Sequence, residues 1–270
     1  MAATRGVAIV TGSSSGIGQE TARALARRGL ATVLVARQRD RLEALARELA
    51  PYAPSVPLPL DLSHGEDTVD SVLAEATART GPADVLVNCA GHGMYGSFLD
   101  TAADELHTLM RVHYFGPVAA IRAVLPSMRA RGRGHVINIC SMSSKMGPWG
   151  HTGYAAAKAA LSTFTESLAT EYSHSGVRFS VVHPGLVDTP FFERGDLPRL
   201  RVRTERRMIQ PELVARTVVG LLDRPRLQTC VPRHYRLVDA IAACSPTLLH
   251  RLVARQSRPH ALLGGVGDRP

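Results

Sequence analysis

Apolar positions recur along this chain in two alternating rhythms: short unbroken runs, and longer stretches in which they return every three or four residues. Val7-Ala8-Ile9-Val10 is such a run, as expected of a strand covered on both faces. It passes through Thr11-Gly12-Ser13-Ser14-Ser15-Gly16-Ile17-Gly18 into a stretch where Ile17, Thr21 and Leu25 keep helical spacing, closed at Gly29, a residue that tolerates a left-handed cap. The alternation then repeats. Strands are predicted at residues 31–36, 56–60, 84–88, 135–141, 178–183 and 228–231. Helices are predicted at 39–49, 69–80, 102–128 (interrupted at Gly116-Pro117), 152–173 and 211–222. Strand and helix in strict succession predict an α/β fold, one doubly wound parallel sheet of Rossmann-like type over residues 1–232, with a C-terminal helical extension at 233–270.

In sheets of this kind ligands lie beyond the carboxyl ends of the strands. The chemically suggestive residues fall there: Gly12, Arg37, Asp61, Asn88, Ser141 and Pro184 follow strands one to six. A strand, a glycine-rich turn and a helix form a cradle for phosphate, because the glycines admit close backbone approach and the first helical amides favour negative charge. Two lysines stand against thirty arginines, and Lys158 lies one helical turn beyond Tyr154. A compact ammonium there can do what a planar guanidinium cannot, and would bring a phenol of pKa about 10 closer to a useful proton donor. Tyr and Lys four apart on a helix also occur as plain surface packing, so the pair takes its meaning from its surroundings.

Those surroundings resemble the short-chain dehydrogenase/reductase family, whose pattern of TGxxxGxG, an NNAG-like turn, Ser, YxxxK and a later PG is met in order. Here it reads Thr11 to Gly18, Asn88-Cys89-Ala90-Gly91, Ser141, Tyr154 to Lys158, and Pro184-Gly185 followed by Val187 and Thr189, covering roughly residues 5–232. The resemblance implies an oxidoreductase moving a hydride between a nicotinamide and a carbonyl or alcohol carbon, with Tyr154 handling the proton, Ser141 positioning the substrate oxygen, and Lys158 lowering the phenol pKa and binding the ribose. It also implies that Ser15 to Ile17 meet the pyrophosphate, that Gly12 to Gly18 as a whole form the cofactor loop, that Asp61 and Leu62 touch the adenine, and that Asn88 to Gly91 line the adenosine ribose side. A homodimer or homotetramer, paired through helices 102–128 and 152–173, follows from the same likeness.

Cofactor choice turns on Ala36-Arg37. NAD-preferring relatives carry an acid at that place; a guanidinium instead suits the extra phosphate of NADP, with Ser13 or Ser14 as a second contact, although the basic residue often found in the glycine loop of such relatives is missing. The family's Val-Asn-x-x-Gly is Val112-His113-Tyr114-Phe115-Gly116 here, so His113 takes the place of a fourth catalytic residue. It stands as a core histidine, a replacement proton relay, or a cause of weak catalysis. That last option leaves an alternative open, an NADP-binding scaffold or sensor.

His92, Met94, Tyr95, Met142, Ser143, Met146, Trp149, His151, Leu186, Phe191 and Phe192 outline an apolar and aromatic pocket for a hydrophobic ketone, aldehyde or alcohol, though such residues also fill ordinary cores. The net charge of +9 rests partly on Arg199, Arg201, Arg203 and Arg206, in the place of a substrate lid, and partly on the tail. No nucleic-acid motif accompanies it. The tail mixes Leu237, Val238, Ile241, Leu248, Leu249 and Leu252 with Arg236, Arg251, Arg255 and Arg258, broken at Pro246; docking on the domain or a partner subunit, contact with an anionic membrane surface, and disorder are its three readings. No apolar stretch approaches the ~20 residues of a membrane span, and the absence of a signal peptide suggests a cytoplasmic enzyme. Cys89, Cys140, Cys230 and Cys244 lack metal-ligand spacing, so free thiols and no metal are expected.

Overall fold

The computed structural model describes residues 5–193 and 208–257. Seven strands, β1 (Val7–Thr11), β2 (Ala31–Ala36), β3 (Ser55–Pro59), β4 (Val85–Asn88), β5 (Gly134–Ile139), β6 (Val177–Pro184) and β7 (Gln228–Val231), form one sheet in the order β3-β2-β1-β4-β5-β6-β7. Every pairing is parallel. Strand order therefore reverses between β1 and β4, which opens a crevice at their carboxyl ends.

The apolar runs become strands because helices cover both faces. One layer holds α1 (Gly16–Arg27), α2 (Arg39–Leu49) and α8 (Pro211–Asp223), which present Leu25, Leu42, Leu45, Leu49 and Val218 to Val10, Leu34 and Val87 of the sheet. The other holds α3 (Glu66–Thr80), α5 (Gly116–Ala130) and α7 (Thr152–Glu171), burying Leu73, Ile121, Val124, Met128 and Leu168 against Ile9, Leu86 and Val136. Each large side chain so buried is worth roughly 1.5–3 kcal/mol, and these two cores carry the fold.

The predicted elements are present, with ends moved by one to three residues. The long helix predicted at 102–128 differs in kind. It consists of α4 (Ala103–Met110), a π-helical turn at Arg111–Phe115, and α5. The interruption lies before Gly116-Pro117 and not at it: the Gly116 amide reaches back five residues to the Arg111 carbonyl, and Pro117, which has no N–H to give the preceding turn, follows directly. Short turns at Phe98–Asp100, Pro190–Glu193 and Arg233–Tyr235, and the four-residue helix α6 (Ser143–Met146), are too brief to leave a periodic signal.

The extension contains α9 (Arg236–Cys244) and α10 (Pro246–Gln256), divided at Pro246. Of its three readings, docking on the domain is the one the contacts show: α9 and α10 both pack on α6, Asp239 pairs with Lys145, and Leu249 is buried. Leu237, Leu248 and Leu252 remain exposed. No helix among the described residues is long and apolar enough to cross a membrane. The arginines at 199, 201, 203 and 206, and Arg258, lie outside the described residues.

Candidate active site

The glycine turn between β1 and α1 is shaped by its neighbours. Gly12 has φ +71°, and a Cβ there would lie 2.7 Å from the Ala90 backbone, so the turn after β1 and the turn after β4 touch through bare main chain. Ser15 caps α1 in extended geometry, and Gly16, Ile17 and Gly18 form its first turn, leaving amides with no partner inside the helix. Thr189, from the segment after β6, closes over Gly16. Ser13 departs from expectation as a phosphate contact through its side chain: it is fully buried, and its hydroxyl donates to the Val35 carbonyl at 3.3 Å. Ser14 is nearer the surface, 2.8 Å from Gln38 Oε1.

The Asn88-Cys89-Ala90-Gly91 turn hangs from Thr11, whose hydroxyl oxygen accepts the amides of Cys89 and Ala90 at 3.0 and 3.1 Å. Asn88 is buried and donates to Asn138 Oδ1 at 2.9 Å, and Asn138 in turn donates to Thr165. Arg37 stands half exposed after β2, with a guanidinium nitrogen 3.7 Å from Asp61. Burial pushes the Asp61 carboxyl up, but the amide and hydroxyl of Ser63 together with Arg37 bring it below its ordinary value. Leu62, expected beside the adenine, is buried in the core against Gly116.

Ser141, Tyr154 and Lys158 come together. Ser141 follows β5, accepts the Ser143 amide on Oγ at 3.1 Å, and its side chain interacts with the Tyr154 hydroxyl. Tyr154 and Lys158 are buried on the sheet-facing side of α7. The Lys158 ammonium donates to the Ile139 carbonyl at 2.8 Å, and its burial draws its pKa down. The expected lowering of the phenol pKa by Lys158 is not what prevails. Burial pushes Tyr154 above its ordinary value, the Ser141 side chain opposes this, and the neighbouring Cys140 and Cys89 thiols add to it. Burial pushes both of those thiols up to about 12. A buried phenol loses hydration of its anion, and an ammonium spent on a backbone carbonyl does not restore it.

His113 sits in the π-helical turn with no solvent exposure. Its ring meets Tyr154 edge-on at 5.2 Å and lies so close to Gly91 that any side chain there would overlap it. Nε2 lies 2.9 Å from the His92 carbonyl and 3.3 Å from the His92 amide, while Nδ1 is buried without a partner. Burial, then the positive charge of Lys158, hold His113 well below its ordinary pKa, so the ring is neutral. A proton on Nε2, given to the His92 carbonyl, leaves Nδ1 with only a lone pair unmet, the cheaper of the two tautomers.

Of the expected pocket wall, Phe191 packs on Tyr154 at 5.6 Å, and His151 lies 6.0 Å from it. Trp149 and His151 both meet Tyr95. Met94, Met142 and Phe192 are buried and serve as packing. Sequence reasoning placed Thr11 in the glycine motif without its role as the anchor of the second turn, and passed over Asn138 and His183. Asn138 carried a signal, an amide inside the apolar strand His135-Val136-Ile137-Asn138-Ile139. It also passed over Tyr235, whose ring lies against Gly185, and Asp239.

The short chain dehydrogenase family profile matches residues 6–196. An uncharacterized oxidoreductase of Staphylococcus haemolyticus is 32% identical over 219 residues, covering 81% of this chain and 91% of that protein. A short-chain dehydrogenase from Streptomyces avermitilis superposes with a TM-score of 0.78 at 30% identity, covering 99% of this chain and 100% of that one. L-Sorbose reductase from Gluconobacter frateurii, solved with NADPH and L-sorbose, gives 0.73 at 32% identity over 81% of this chain and 89% of its own. With the sheet order, the glycine turn and the Ser141, Tyr154 and Lys158 cluster in place, the chain belongs to the short-chain dehydrogenase family of oxidoreductases.

Proposed function

We propose that this protein is an NADP(H)-dependent reductase of a hydrophobic ketone or aldehyde, running in reverse as an alcohol dehydrogenase. The observation that carries the reading is the gathering of Ser141, a buried Tyr154 and a buried Lys158 at the carboxyl end of β5, with Lys158 fixed by the Ile139 carbonyl. The residues present fit the cofactor: the bare-backbone cradle at Gly12 and the free first-turn amides of α1 suit a pyrophosphate. Gly91, Pro184, Gly185, Val187 and Thr189 border the same crevice. Arg37 supports the phosphorylated form, since its long, half-exposed contact with Asp61 leaves the guanidinium available to a phosphate, and NADPH in the sorbose reductase agrees with this.

Bound NADPH would supply the hydride. Ser141 would donate a hydrogen bond to the substrate carbonyl oxygen, fixing it beside the phenol. Tyr154, held above its ordinary pKa, stays protonated at neutral pH and would give its proton to that oxygen. Lys158, kept in place by the Ile139 carbonyl, would hydrogen-bond the nicotinamide ribose. Neutral His113 would act as an acceptor at Nδ1, holding a water or a hydroxyl, and not as a charged relay. Phe191, Trp149 and Tyr95 would give the substrate an apolar wall. The protein would assemble as a homo-oligomer through the helices carrying Phe115 and Phe164.

NADPH consumption against a panel of hydrophobic ketones and aldehydes tests this. Turnover that prefers NADPH to NADH supports it; cofactor binding without turnover of any of them, even with the reverse reaction tried on the corresponding alcohols, favours a scaffold.

A further inference from the structure

Ser141 is held by the end of β6 and by the short helix that follows the serine. The Met142 amide donates to the Pro184 carbonyl at 2.9 Å, and the Ser144 hydroxyl donates to the Ser141 carbonyl at 2.6 Å while meeting His183 Nδ1 at 3.2 Å. With the Ser143 amide on Ser141 Oγ, the direction of that hydroxyl is set by the short helix Ser143–Met146. Four residues are too few to hold themselves. Lys145 ties the helix down.

Lys145 is the second of the two lysines in the chain, and its side chain is 17% exposed. Its ammonium donates to Gln228 Oε1 at 2.8 Å and pairs with Asp239 at 2.9 Å. Gln228 continues to Glu166 at 2.8 Å, on the helix that carries Tyr154. Asp239 belongs to the C-terminal extension and is the only carboxylate between residues 233 and 257. In a segment whose arginines Arg233, Arg236, Arg251 and Arg255 all face solvent, that one acid turns inward. Two other contacts of the extension converge on the same loops: Tyr235 packs on Gly185, and Ser257 Oγ accepts the Trp149 amide at 3.3 Å. A compact ammonium whose three donors can diverge suits this junction better than a planar fork, which accounts for a lysine in a chain that otherwise uses arginine.

We infer that Asp239 is a positioning residue: through Lys145 it fixes the turn that bears Ser141, making the C-terminal extension part of the scaffold of the active site. The inference rests on the reading of Ser141 given above. It predicts a loss in kcat with cofactor affinity unchanged, since the glycine turn lies apart from these contacts. Misplacing a reacting group by about 1 Å can cost up to about 100-fold in rate.

The test uses the full chain, steady-state kinetics, NADPH titration, and emission of Trp149, the single tryptophan. Asp239→Asn and Lys145→Met should each lower kcat about 10-fold or more, leave NADPH affinity intact, and move Trp149 emission to longer wavelength as the extension loosens. Asp239→Glu should recover much of both, and the double variant should be no worse than either single one, as for partners in one contact. Wild-type kcat and emission in Asp239→Asn, or additive losses in the double variant, would overturn the inference. Failure of the underlying reading shows differently: Ser141→Ala would then turn over normally while the Asp239→Asn emission shift persisted. Unchanged emission in Asp239→Asn decides against the inference even where no carbonyl is turned over.

Discussion

At the residue scale, the proposed cofactor selectivity and proton handling can each be tested at one side chain. Arg37 is the cation at the end of β2, with only a 3.7 Å contact to Asp61. Arg37→Glu removes a phosphate partner and adds repulsion, so kcat/KM with NADPH should fall about 10- to 100-fold while the value with NADH holds or rises, measured with both cofactors at one salt concentration. An equal loss with both would show that Arg37 does not read the phosphate. His113 is buried and neutral, with Nδ1 an acceptor. His113→Asn keeps an acceptor, and the pH profile of kcat should retain its shape between about pH 6 and 9, where a relay through an imidazolium would shift it.

At the scale of elements, the alternation of apolar runs and helical stretches was sufficient to read the order of strands and helices, because a sheet covered on both faces leaves β1 and β4 apolar up to their last residues, Thr11 and Asn88. Gly12, Ser141, Tyr154 and Lys158 were legible for a related reason: each has a chemical demand that few residue types meet. What was hidden lies in backbone geometry or in contacts between distant segments. The π-helical turn at Arg111–Phe115, closed by the Gly116 amide on the Arg111 carbonyl, leaves no mark in the apolar spacing. The phenol's raised pKa follows from burial, which a four-residue spacing does not reveal. Likewise Ser13 looked like a phosphate ligand until the end of β2 took its hydroxyl.

At the scale of the whole molecule, four histidines make stability depend on pH. Burial draws His135, His151 and His183 down to about 4, and holds His113 well below its ordinary value. Unfolded, each would titrate near 6.5. A depressed pKa means that the unfolded chain takes up protons first, so the stability is present above about pH 6.5 and is lost as pH falls toward 4. With four such groups the slope approaches about 5 kcal/mol per pH unit near pH 5. Urea unfolding from pH 7.5 to 4.5 should show midpoints falling steeply below pH 6.5; a flat series would mean that these rings are protonated in the folded state.

The same cluster that defines the site offers the most direct test of the function proposed for it. With NADPH and the best carbonyl substrate of the panel, Tyr154→Phe keeps the ring that packs on His113 and Phe191 and removes only the proton donor. Cofactor binding should persist and kcat should fall about 100-fold or more. Undiminished turnover by Tyr154→Phe would contradict the account at its centre.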